Sequence, residues 1–158
     1  MGTSRINDWL QIFASLSVLA GLVFLALEIR QSNQISIATT EIAVREAYGS
    51  SNESVYTNPA FAALLVKART TDADFSETEL EMLDYFFGRM MNIWGGTEEA
   101  YANQMVSRKT YEKAFDDMNW TIRAYPGMRP LFQDYVNSYP SSSESELVQE
   151  LVQYLENN

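Results

Sequence analysis

Residues Trp9 to Leu27 form an apolar run without one charged side chain, closed by Arg5 and Asp8 on one side and by Glu28 and Arg30 on the other. At ~1.5 Å per residue a helix over this run covers about 28 Å, close to the ~30 Å hydrocarbon core of a bilayer. All of its faces are apolar, whereas a surface helix of a water-soluble domain keeps a polar stripe. The run is therefore expected to be a transmembrane anchor, with Trp9 at the lipid–water boundary where interfacial aromatics belong.

Two other readings fit this run less well. A cleaved signal peptide needs a basic leader, a shorter apolar core and a small-x-small cleavage site; here the run is long and exits through Ala26-Leu-Glu-Ile-Arg-Gln31, a poor cleavage sequence. A buried core helix would fit Gln11, Ser15, Ser17 and Gly21, which make the run less apolar than many spans, but not the lack of a polar face. For orientation, Arg5 and the terminal amine oppose Arg30 and Arg45. The small basic excess after the span points to a cytoplasmic C-terminal domain.

Only two of the eleven basic and two of the twenty-one acidic residues flank the run, so the rest of the chain carries the whole formal charge of −10. That surface repels nucleic-acid phosphates, and no basic cluster offsets it; no nucleic-acid partner is expected. Nine Tyr, eight Phe and three Trp supply material for a folded core. His and Cys are both absent. Their absence excludes imidazole acid–base chemistry, Cys or Ser–His nucleophiles, Cys/His zinc sites and the Glu-x-x-His pairs of di-iron bundles. An enzyme would have to work with carboxylates, Lys, Tyr or Ser alone, and no enzymatic activity and no cofactor are expected.

Beyond the span the pattern stays helical to about Tyr48, with a break expected at Gly49-Ser-Ser-Asn52. Asn58-Pro59 reads as an N-cap followed by Pro in the first helical turn. Ser76-Glu-Thr-Glu79 is a capping box that opens a long helix through Leu80, Leu83, Phe87, Met90, Trp94, Tyr101 and Met105. Gly95-Gly96 inside it predicts close helix packing or a kink. Ser107 caps a further helix that Pro126-Gly127 ends, and Met128–Tyr139 forms another. Ser143-x-x-Glu146 is a second capping box, ahead of a stripe of Leu147, Val148, Leu151, Val152 and Leu155. No segment alternates with period two and no repeat is visible. The expected fold is all-α, with a transmembrane helix continuing into an irregular antiparallel bundle. Its divisions are an N-terminal tail at 1–8, the anchor at 9–28, a helical stalk and loop at 29–57 and an acidic bundle at 58–158.

Few residues suggest chemistry. Asp72-Ala-Asp74-Phe-Ser76 begins like a calcium loop, but Glu77 and Leu83 stand where Gly and Glu are required, so no metal site is expected. Glu112 and Asp116-Asp117 read as a solvated face. Glu98 lies near the apolar stripe of Trp94 and Tyr101, and a carboxylate facing a core needs a partner. Arg89, Arg123 and Arg129 are the candidate cations, with Arg129 favoured. The resulting Glu98–Arg129 site, lined by Tyr101 and Trp94, reads as a helix-registering ion pair or as a pocket for a small anion. Within the span, Ala14, Ser17 and Gly21 form a small-residue face suited to helix–helix packing in lipid.

The ordered set Leu22-Val-Phe-Leu-Ala-Leu-Glu-Ile-Arg-Gln31, Asn58-Pro59, Ser76-x-x-Glu79, Glu98-x-x-Tyr101 and Pro126-Gly-Met-Arg129 resembles a group of short, uncharacterised bacterial proteins. These have one N-terminal transmembrane helix and a helical C-terminal domain. The resemblance covers nearly the whole chain, although Leu131-Phe132 stands where those proteins often carry Trp. It implies a single-pass protein of the bacterial inner membrane, and it implies no chemistry. The expected function is association, as an accessory subunit of a membrane complex or as a homo-oligomer, with the lipid bilayer and a membrane protein or a second copy as partners. The alternative is a sensor or binding module with a small anionic ligand near Glu98 and Arg129.

Overall fold

Helices make up nearly all of the computed structural model, which describes residues 3–139 and 144–157, with side chains described from residue 7 onward. In chain order they are α1 (Thr3–Thr57), α2 (Pro59–Lys67), α3 (Glu77–Ala102), α4 (Arg108–Ala124), a 3₁₀ turn (Pro126–Met128), α5 (Arg129–Ser138) and α6 (Glu146–Asn157). No strand occurs among the described residues. The all-α class expected from the sequence is what the chain adopts. The chain divides into two compact units, Met1–Ala38 and Thr39–Asn158.

The first unit is helical and has no core of its own. Trp9, Phe13 and Phe24 are all more than 60% exposed, and none of the apolar stretch is buried. By length and composition it is the one helix among the described residues able to cross a membrane. The two hydroxyls inside the apolar run are satisfied locally: Ser15 Oγ donates to the Gln11 carbonyl and Ser17 Oγ to the Phe13 carbonyl, both at 2.9 Å. A polar group bonded inside its own helix needs no water, which suits a lipid environment.

The second unit begins inside α1. The expected break at Gly49 is absent, because residues around it are held by tertiary contacts that outweigh the low helix propensity of Gly-Ser-Ser-Asn. Buried Ser51 bonds Met90 Sδ at 3.2 Å, Ser50 accepts from Arg89 at 2.8 Å, and Tyr48 and Val55 pack on the core. Residues 39–57 fall within the second compact unit, Thr39–Asn158.

Local signals set most helix boundaries. Asn58 Oδ1 accepts from the Ala60 and Phe61 amides at 3.1 and 3.2 Å, and Pro59 opens α2. The Ser76–Glu79 capping box forms at the start of α3, and Ser107 caps α4. At the end of α3, Gln104 takes a left-handed φ of 59°. The Met105 amide bonds the Ala100 carbonyl and the Gln104 amide bonds that of Tyr101. This closing motif stops the helix at Ala102, short of the Met105 that periodicity suggested. The proposed cap Ser143 lies outside the described residues; Ser145 Oγ accepts from the Val148 amide at 3.3 Å and so caps α6.

The core is built around α3. Leu83, Phe87 and Trp94 are fully buried, facing Met118 and Ile122 of α4, Phe132 of α5, and Leu147 and Leu151 of α6. Phe87 lies 4.6 Å from Phe132 and 6.4 Å, edge-on, from Trp94. Gly95 and Gly96 do not mark close packing, since a Cβ at either would meet nothing within 4 Å and α3 runs on through them. The crowded glycine is Gly127, where a Cβ would stand 2.7 Å from the Thr70 carbonyl and 2.9 Å from that of Ala68. The Gly127 amide also donates to the Ala68 carbonyl at 2.9 Å, so this contact joins the end of α2 to the 3₁₀ turn. Denaturant unfolding should separate the two positions. Gly96→Ala is expected to stabilise by ~0.5–1 kcal/mol, and Gly127→Ala to destabilise by ~1–3 kcal/mol through overpacking.

Candidate functional site

Glu98 has a partner, but among the described residues it is not a cation. Its carboxylate lies on the N-terminus of α6, where Oε2 accepts from Ser145 Oγ at 2.5 Å and Oε1 accepts from the Glu146 amide at 2.7 Å. A helix N-terminus presents unsatisfied N–H groups and the positive end of the peptide dipoles, so it replaces the arginine that the sequence suggested. The three candidate cations are engaged elsewhere. Arg89 bonds Ser50, Arg123 lies 3.9 Å from Glu150, and Arg129 Nη2 donates to the Leu155 carbonyl at 3.0 Å. Glu98 and Arg129 thus hold opposite ends of α6, with contact points nine residues or about 14 Å apart at ~1.5 Å per residue. Their expected pairing is corrected: anion and cation each complement one end of the same helix.

The other expected site residues are dispersed. Trp94 is fully buried, and its indole Nε1 donates to Asp117 Oδ2 at 2.9 Å. Asp117 is therefore not simply a solvated residue; a buried indole N–H needs an acceptor, and that need was the signal for it. Tyr48 lies beside them, its phenol pushed well above the usual range by burial and by the nearby Asp117. Tyr101 is 37% exposed and stacks on Tyr111, with centroids 4.7 Å apart and planes 5° apart. The Tyr111 hydroxyl donates to Glu146 Oε2 at 2.6 Å, and burial together with Glu146 and Glu98 raises its pKa as well. Neither phenol is poised as a base near neutrality. Ala14, Ser17 and Gly21 lie on the exposed helix of the first unit, and a Cβ at Gly21 would meet nothing within 4 Å. Among the described residues no three His, Cys, Asp or Glu side chains converge to hold a metal.

Glutamates also hold two other helix starts. Glu41 of α1 accepts from the Ser107 amide and from Thr110 Oγ1, both at 3.1 Å, on the first turn of α4. The Ser107 hydroxyl, then the Ser107 amide and the Thr110 hydroxyl, lower its pKa, with a smaller contribution from Arg45. Glu79 accepts from the Ser76 amide at 2.8 Å and from Lys67 Nζ at 2.7 Å, which ties α2 to the start of α3. The Lys67 and Ser76 hydrogen bonds bring the Glu79 carboxyl down from 4.5 to about 2.

A concavity of the second unit lies elsewhere, where the last turns of α1 and the start of α2 meet α3. It has a volume of about 500 Å³ and is lined chiefly by Phe61, Met82, Tyr85, Phe86 and Arg89. A second groove, about 290 Å³, runs between α5 and α6 past Tyr139, Val152 and Glu156.

No family model, curated protein or solved structure matches this chain. The reading of its function accordingly rests on the geometry.

The lowered carboxyls have a defined pH signature. A carboxyl with a depressed folded-state pKa contributes its full stability above the unfolded value and loses it as pH falls through the folded value. For Glu79 that window runs from 4.5 down to about 2, and Glu41 acts in the same direction. Glu79→Gln is expected to be less stable than the parent chain at pH 6, with the gap narrowing towards pH 2. Urea midpoints measured across this range check it; a gap independent of pH would contradict the assignment.

Proposed function

We propose that this chain is a single-pass, membrane-anchored helical protein that works by association, as an accessory subunit of a membrane complex or as a homo-oligomer. The observation that carries the reading is the charge-free run Trp9–Leu27, every described side chain of which is exposed. Left in water, such a surface would be a strong aggregation liability; burial in lipid removes it. The Ala14/Ser17/Gly21 face supports contact between spans, because small residues let two helix backbones approach closely in lipid.

The second unit supports association in a different way. Its surface keeps large aromatics in water, among them Tyr85 at 72%, Trp120 at 56% and Tyr139 at 55% exposure. Aromatic side chains are enriched at protein interfaces relative to the rest of a surface. The excess of acid over base gives such an interface a preference for basic partners and against nucleic acid. We place the second unit on the cytoplasmic side of a bacterial inner membrane, a reading supported by Arg30 and Arg45 after the span and by the resemblance noted above.

The test is extraction of the native membrane in a mild detergent, followed by sizing and mass spectrometry. The chain is expected to resist extraction by salt and alkaline carbonate, and to migrate in detergent with a stoichiometric partner or as a defined oligomer. Release by carbonate would remove the anchor, and a lone monomer in detergent would remove the association.

A further inference from the structure

The groove against α3 has a composition unlike the chain that builds it. Twenty-one of the 158 residues are acidic, yet none of those lining this groove is. Its floor is apolar and aromatic: buried Phe61 meets half-buried Phe86 edge-on at 5.3 Å, and Met82 lies alongside. Tyr85 stands largely in solvent as one wall. The polar groups at the rim are chiefly donors. Arg89 makes one hydrogen bond, to Ser50 Oγ, and has no carboxylate within 4 Å among the described residues. A guanidinium carries five N–H donors, so most of its fork faces no protein acceptor. Asn58 uses its amide oxygen to cap α2, which leaves its NH₂ group as the end able to meet a ligand.

We propose that this groove is a binding site for a small planar aromatic carboxylate. The ring would lie among Phe61, Tyr85 and Phe86, where offset and edge-on ring contacts are favourable. The carboxylate would meet the Arg89 fork, whose planar geometry matches two carboxylate oxygens at once. The volume, about 500 Å³, falls within the ~300–1,000 Å³ of small-molecule sites. Charge selects the occupant. The local lining of one arginine and no carboxylate favours an anion over a cation or a neutral ring, against the net negative charge of the chain. The groove between α5 and α6 lacks this property, because Glu156 lines it. The groove involves neither the apolar run of α1 nor Glu98 and Arg129.

The experiment titrates 2-naphthoate into the full chain held in nanodiscs of neutral phosphatidylcholine, with naphthalene-2-carboxamide and 2-naphthylmethylamine as uncharged and cationic counterparts. Saturable binding of the naphthoate is expected, at least tenfold tighter than either counterpart and weakened at least tenfold by Arg89→Gln. That variant should bind the carboxamide as the parent chain does, and far-UV circular dichroism checks that it is folded. Tyr85→Ala, at a side chain mostly in solvent, is expected to weaken the naphthoate several-fold by a route that leaves the arginine in place. Absence of saturable binding to millimolar concentration overturns the proposal, as does binding indifferent to Arg89→Gln. A photo-crosslinker at Tyr85 that captures a second copy or another protein, undiminished by the naphthoate, likewise overturns it by assigning the groove to a protein partner.

Discussion

The helices of the second unit are set in register by glutamate carboxylates placed on helix N-termini. Glu79 serves α3, Glu41 reaches from α1 to α4, and Glu98 reaches from α3 to α6. Each carboxylate also joins two elements, since Lys67 carries the Glu79 contact back to α2. A helix start offers several N–H donors in one place, so one carboxylate there satisfies backbone groups and opposes the dipole together. A chain with nearly twice as many acidic as basic residues cannot pair every carboxylate with a cation. Helix N-termini supply positive potential that the side chains lack.

α6 shows the consequence most fully. Glu98 meets its start, Arg129 meets the Leu155 carbonyl near its end, and Tyr111 bonds Glu146 in its first turn. Between these contacts Leu147 and Leu151 are fully buried against the core. Apolar burial supplies most of the adhesion but is tolerant of sliding and rotation. The polar contacts at the two ends fix position along the axis and rotation about it.

How much of this could be read from sequence follows from the range of each contact. The caps at Asn58, Ser76 and Ser107 involve residues two or three apart, and all three stand out as local patterns. The contacts of Glu41 with Ser107 and of Glu98 with Glu146 join residues 66 and 48 positions apart, and no local pattern marks them. That Glu98 required a partner was legible; that the partner would be a helix terminus was not, because charge pairing suggests arginine first. Gly49 misled for a related reason, since propensity favoured a break there and the buried Ser51 contact with α3 overrode it. The Gly95-Gly96 pair suggested crowding where there is open space, while the close approach lies at Gly127, set by a loop that periodicity does not describe. The apolar run of the first unit was the most legible feature of all, because its length and lack of charge require no knowledge of the rest of the fold.

The central claim is that Glu98 acts on the start of α6 and not on Arg129. A double-mutant cycle in urea unfolding tests it directly, pairing Glu98→Ala once with Ser145→Ala and once with Arg129→Met in the full chain. The account predicts a coupling of about 0.5–3 kcal/mol between Glu98 and Ser145, and additivity within ~0.5 kcal/mol between Glu98 and Arg129. Strong coupling to Arg129 with none to Ser145 would restore the ion pair and contradict the account.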